Sequence, residues 1–167
     1  MTNPSISTAR RLEYAQGYLT LGMVAEAAAE IDLIKPEEQS SDEVLEITID
    51  LYSARRDWEL AVAAAEEYTQ RHPDEPKGWI SWAYALRRLK SISEAELVLL
   101  QAEKRIGDTC ALVHYNLACY RCQLGDRAGA LHRLARACRM DPHWKAAALK
   151  DPDLESIKDE ITALSEA

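Results

Sequence analysis

The sequence predicts an all-α protein built as an array of antiparallel helical hairpins. Three observations predict it. Four alanines, Ala27, Ala61, Ala95 and Ala130, recur 34, 34 and 35 residues apart, each just after a loop (LGMVAEA, RRDWELA, LKSISEA, LGDRAGA). Apolar residues on either side of each loop follow the helical period, at i, i+3, i+4 and i+7. No stretch alternates polar and apolar residues as a half-buried strand would. Other columns keep the register. Twelve residues before the alanines stand Ala15, Ile49, Ala83 and Ala118, preceded by Tyr14, Thr48, Trp82 and Leu117. Seven residues after them come Ile34, Tyr68, Ala102 and Ala137. Small residues suit positions where two helices cross closely, and the larger columns fill the wider gaps beside them.

The first unit spans about 8–41 and carries an early Pro36 followed by an irregular EEQSS connector. The second, about 42–75, opens with Ser40-x-x-Glu43, the pattern of a capping box. The third, about 76–110, has the same pattern in Ser91-x-x-Glu94 at the start of its second helix, with Lys90 where a helix-ending glycine would stand. In the fourth, about 111–144, Leu117, Tyr120 and Leu124 line one stripe, Gly125 ends the helix, and Leu131, Leu134 and Cys138 begin the next stripe before Asp141-Pro142 stops it. The remainder, 145–167, reads as a cap that solvates the array's end. One helix starts at His143, another at Asp151-Pro152, and Leu154, Ile157, Ile161 and Leu164 make the second one-sided.

The fourth unit, through Asn116, Leu117, Ala118, Gly125, Asp126, Ala130, Leu134, Ala137 and Pro142, resembles the tetratricopeptide repeat, as does the second through Tyr52, Asp57, Ala61 and Pro73. The first and third units depart from that pattern. The resemblance covers roughly residues 8–142 and implies a right-handed superhelical α-solenoid used to bind proteins or peptides. It implies that the first helix of each hairpin lines a concave groove. On that basis the candidate groove residues are Glu13 and Gln16 in unit one, Glu46 and Asp50 in unit two, Tyr84, Arg87 and Arg88 in unit three, and Tyr115, Asn116 and Cys119 in unit four. The groove would be acidic at one end and basic-aromatic at the other, suiting an acidic, partly apolar partner segment. The carboxylate clamp of some family members needs Lys and Asn where Leu12, Gln16 and Ile47 stand, so a faithful clamp is not expected.

Composition bounds the function. The chain has 167 residues and a net charge of −8, which disfavours nucleic acid as the main partner. The charge is segregated: 6 basic and 16 acidic residues in 1–75, 13 and 6 in 76–150, 1 and 6 in 151–167, giving −10, +7 and −5. No apolar run is long enough for a membrane span, the N-terminus lacks a signal-peptide pattern, and four scattered cysteines do not form a disulfide framework, so a cytoplasmic setting is expected. No nucleophile elbow or phosphate loop is present, and a non-catalytic chain without cofactor or metal is expected. Cys119-x-x-Cys122 falls late in a helix without a second ligand pair, a context suited to small apolar side chains. A cysteine-dependent metal or redox protein stands as the alternative to an adaptor or chaperone-like interaction module.

Overall fold

The computed structural model describes residues 6–164. The ends of the expected 1–167 domain, including the last three residues of the expected cap, lie outside the described residues. Eight helices form four hairpins: α1 Thr8–Thr20 with α2 Val24–Asp32, α3 Asp42–Arg55 with α4 Trp58–Arg71, α5 Pro76–Leu89 with α6 Ile92–Ile106, and α7 Ala111–Gln123 with α8 Arg127–Met140. A short helix, α9 His143–Ala148, follows, then a 3-10 turn over Pro152–Ile157 and α10 Lys158–Ala163. The described residues contain no strand. The fold is a tetratricopeptide-like α-solenoid.

Local chemistry sets the helix starts. Ser7 accepts a hydrogen bond from the Arg10 amide, and Asp126 accepts one from Gly129. Ser91 accepts from the Glu94 amide at 3.2 Å, which is the serine half of the expected capping box, while the Glu94 carboxylate accepts from the Ser91 hydroxyl and not from its backbone N–H. For α3 the cap is Ser41, not Ser40, and its hydroxyl accepts from Val44. Ser41 lacks the glutamate three residues on, but its carbonyl accepts from the Leu45 amide as that of an N-cap does, whereas the carbonyl of Ser40 is taken by Arg71.

The residues that close each first helix form a further column, Gly22, Arg56, Lys90 and Gly125. Three of them are left-handed, with φ of 73°, 62° and 84° for Gly22, Arg56 and Gly125. Arg56 adopts this conformation without glycine's freedom, at a cost of about 1–2 kcal/mol. Lys90 avoids it, with φ −127° and ψ −84°, which is how the third hairpin dispenses with glycine.

The four recurring alanines are all 0% exposed, as are Ala15, Ile49 and Ala118 twelve residues earlier. Between α4 and α5 the approach is closer still, for a Cβ on Gly78 would lie 2.5 Å from Thr69 Oγ1 and 3.1 Å from its backbone. The larger columns divide. Leu117 is fully buried, whereas Tyr14 in the first hairpin is exposed. Leu124, placed in the apolar stripe by sequence, is the exposed C-cap of α7, beyond the last turn that faces α8. Trp79 lies in the core and donates its indole N–H to the Pro73 carbonyl, fixing the turn between α4 and α5.

The C-terminal segment departs from the expected end cap. Only α9 continues the array, with Trp144 against Tyr115 at 4.6 Å between ring centroids. After Lys150 the chain turns back, and residues 152–157 pack along α7. Leu154, Ile157 and Ile161 are 0% exposed within the core that includes α5 to α8. The one-sided pattern is as expected, but its apolar side meets the first-helix face of the fourth hairpin.

Candidate functional site

The face presented by α3, α5 and α7 is joined across hairpins by charged side chains. Lys77 on α5 donates to Glu46 and Asp50 on α3, both at 3.0 Å. Its partial burial would lower the ammonium pKa, but the two carboxylate hydrogen bonds outweigh that and raise it. The acidic end expected from Glu46 and Asp50 is therefore partly neutralised by a lysine that the sequence reading did not select. Farther along the array Glu13 pairs with Arg10, and Gln16 lies exposed on α1.

On α5, Tyr84 and Arg88 are exposed one turn apart. The Arg88 guanidinium lies 5.2 Å from the Tyr84 ring centroid, and Trp58 meets the same ring edge-on at 6.0 Å. The three form an amphipathic surface with a cation over an aromatic face. Arg87 turns the other way, with two hydrogen bonds to Asp153 at 2.6 and 3.0 Å. Its guanidinium also lies 5.5 Å from the Tyr120 ring centroid. The pairing with Asp153 raises its pKa, and the paired side chains are 22% and 28% exposed.

On α7, the residues facing the same direction are Tyr115, Cys119, Cys122 and Gln123, and each touches the returning C-terminal segment. Tyr115 donates its hydroxyl to Asp151 at 2.7 Å, and the Cys119 thiol lies 3.6 Å from the same carboxylate. The Cys122 sulfur is 3.1 Å from the Ser156 hydroxyl, and Gln123 donates to the Asp153 carbonyl at 2.8 Å. Arg127, at the start of α8, donates to the Ser156 carbonyl and pairs with Glu160. Burial, and then the neighbouring carboxylates, push the Tyr115 hydroxyl and the Cys119 thiol well above their ordinary ranges.

The structure thus brings together Arg87, Tyr115 and Cys119 of the expected groove set, beneath residues 151–157. Tyr84 and Arg88 lie beside them, open to solvent. Asn116 is half-buried next to Tyr115. Sequence reasoning missed Lys77, Cys122, Gln123 and Arg127 as groove residues, and it missed the occupant. The one available signal was the charge segregation, a −5 tail following a +7 segment.

Ligand atoms of Cys119, Asp151 and Asp153 lie within 4.8 Å of one another. The Arg87 guanidinium already supplies positive charge to Asp153 there, and Tyr115 hydrogen-bonds Asp151. Cys122, the other half of the Cys-x-x-Cys pair, contacts Ser156 instead.

A second polar cluster lies on α6, α7 and α8, apart from this face. His114 is fully buried and hydrogen-bonds the Gly107 carbonyl through Nε2 at 2.8 Å, with Glu103 3.4 Å from Nδ1. Arg133 pairs with the same Glu103. Burial holds the imidazole below its ordinary pKa.

Solved structures with the same fold include TTC0263 of Thermus thermophilus, described as a thermophilic TPR protein. It shares 18% identity and a TM-score of 0.69, over 97% of this chain and 84% of that one. MamA MSR-1 matches with 17% identity and a TM-score of 0.66, over 86% of this chain and 82% of its own. MamA AMB-1 matches with 18% identity and a TM-score of 0.63, over 82% and 80%. No protein-family model and no curated protein sequence matches the chain. Among the described residues no helix is long and apolar enough to cross a membrane.

Proposed function

We infer that this chain is a non-catalytic, adaptor or chaperone-like scaffold that holds an acidic, partly apolar segment of another protein on the face lined by its first helices. One observation carries the reading. The α5–α7 part of that face holds such a segment now, residues 151–157 of the chain itself, through Arg87, Tyr115 and Gln123. A planar guanidinium pairs with a carboxylate through two hydrogen bonds, and tyrosine offers large contact area with few rotatable bonds. The exposed Tyr84 and Arg88 extend the same chemistry toward solvent, and provide the part of the groove a partner meets first. The Glu46 and Asp50 pair, which Lys77 neutralises only in part, disfavours the same segment and so sets its direction. Cysteines present as free thiols fit a reducing, cytoplasmic setting.

The test is capture from native lysate on the immobilised full chain, compared with Arg88→Glu, Tyr84→Ala and, on α6, Leu97→Glu, each checked for helicity by circular dichroism. Loss of about 2 kcal/mol per groove residue reduces capture roughly 30-fold. Capture that survives both groove substitutions and fails in Leu97→Glu would refute the reading.

A further inference from the structure

The C-terminal segment meets the groove as a bound peptide does. Its polar contacts are side-chain to side-chain or side-chain to carbonyl, made by Arg87, Tyr115, Gln123 and Arg127 with the two cysteines, and by Lys145 of α9, which donates to the Leu164 carbonyl. Its apolar contacts come from Leu154, Ile157 and Ile161, on one side, while Glu155, Lys158, Asp159 and Thr162 face solvent. It is tethered through the exposed Lys150 and consists of a single 3-10 stretch and a six-residue helix. Elements this short do not hold their shape away from a packing surface, so a detached tail would lose its structure and gain conformational entropy. Beneath it Tyr115, Cys119 and Cys122 form a stripe on α7, flanked by Arg87 and Arg127.

We propose that residues 151–164 are a displaceable intramolecular ligand that closes the α5–α7 groove, and that the partner's segment takes over the same contacts. This rests on the proposed function and specifies the partner. The segment that fits carries two carboxylates two residues apart, an aliphatic residue next to the second, and further aliphatics three and seven residues beyond, as Asp151, Asp153, Leu154, Ile157 and Ile161 do. A tethered ligand acts at an effective concentration on the order of millimolar, so a partner present at micromolar level must bind roughly a thousandfold more tightly than the free tail. The tail thereby rejects weak acidic ligands and admits one that also engages Tyr84 and Arg88.

The experiment uses the full chain and its Asp151→Asn/Asp153→Asn variant, which preserves shape while removing the charge that Arg87 holds. The readouts are amide exchange, alkylation of Cys119 and Cys122, and polarisation of a fluorescein-labelled peptide of residues 150–164. In the unaltered chain the amides of 153–163 exchange at least about tenfold faster than those of α7, and the double substitution adds roughly another tenfold with α1 to α6 unchanged. The same substitution speeds thiol alkylation and tightens peptide binding by about tenfold, and adding Arg87→Glu abolishes the peptide signal. Exchange of 153–163 in step with α7 in both chains overturns the proposal. So does loss of helical signal in the double variant, or failure of the opened chain to bind the peptide. Peptide binding to the opened chain with no lysate protein captured removes the proposed function, and with it the partner's takeover, and leaves only the displaceable tail. A captured protein with a tail that exchanges in step with α7 does the reverse.

Discussion

Replacing Ala130 by leucine tests the repeat register at a closed helix crossing. Ala130 on α8 and Ala118 on α7 are both 0% exposed, and the same two columns are closed in every hairpin. Leucine adds three carbons. Were there space for them, their burial would stabilise the fold by about 2 kcal/mol, at about 0.8 kcal/mol per methylene. With no space, the side chain forces the helices apart or leaves its rotamer well, at roughly 1–3 kcal/mol net. The recurrence of alanine at all four crossings decides for the second outcome. In urea, with a slope of about 2 kcal/mol/M, the midpoint followed by circular dichroism should fall by roughly 0.5–1.5 M. Ala128→Leu, two residues away on the exposed side of the same helix, should stay within about 0.5 kcal/mol of the parent. An unchanged or raised midpoint for Ala130→Leu, or an equal fall for Ala128→Leu, would refute the assignment of Ala130 to the crossing.

Further substitutions probe single features. Arg56→Gly should raise the urea midpoint by an amount worth about 1 kcal/mol, because the left-handed φ of 62° strains arginine and not glycine; a fall would mean the arginine side chain matters more than its backbone. For His114 the imidazole is held below its ordinary value near 6.5, so the unfolded chain takes up the proton first as pH falls. Its contribution to stability is complete above about pH 6.5 and is lost as pH falls toward the lowered folded value, with a limiting slope of about 1.4 kcal/mol per pH unit. His114→Gln should remove that part of the slope, and an identical pH profile in parent and variant would contradict it. Cys119→Ala with Cys122→Ala should keep the helical signal and melt a few degrees lower, with no response to zinc in either chain; zinc-restored folding of the parent alone would return the metal reading.

Much of the fold was legible because the repeat columns encode packing directly. A residue that must be small at every hairpin crossing is alanine at 27, 61, 95 and 130, whatever its surroundings. The helix-ending column was half legible. Gly22 and Gly125 announce a left-handed residue, whereas Arg56 reaches the same conformation unannounced and Lys90 does not reach it. The cap at Ser41 in place of Ser40 shows the limit of the motif, which Ser40 satisfies through Glu43 and Ser41, followed by Val44 at that spacing, does not. At the site, the core columns leave Arg87, Tyr115 and Cys119 on the remaining side of their first helices, and there all three meet the returning segment. The return of the tail was not legible. Leu154, Ile157 and Ile161 say that one side of the segment is buried, but not whether the surface covering it is the end of the array or its groove. Long-range pairs such as Arg87 with Asp153 leave no local pattern, and only the opposite charges of the two regions hint at them.

The central claim is that the first-helix face receives another protein at Tyr84 and Arg88. The most direct measurement places a photoreactive benzoylphenylalanine at position 84 and, in a second chain, at position 97, an exposed leucine on α6. Both chains are irradiated in native lysate and the adducts identified by mass spectrometry. The account predicts a protein adduct from position 84 that disappears on addition of Arg88→Glu, and none from position 97. Adducts formed from position 97 with none from position 84 would contradict it.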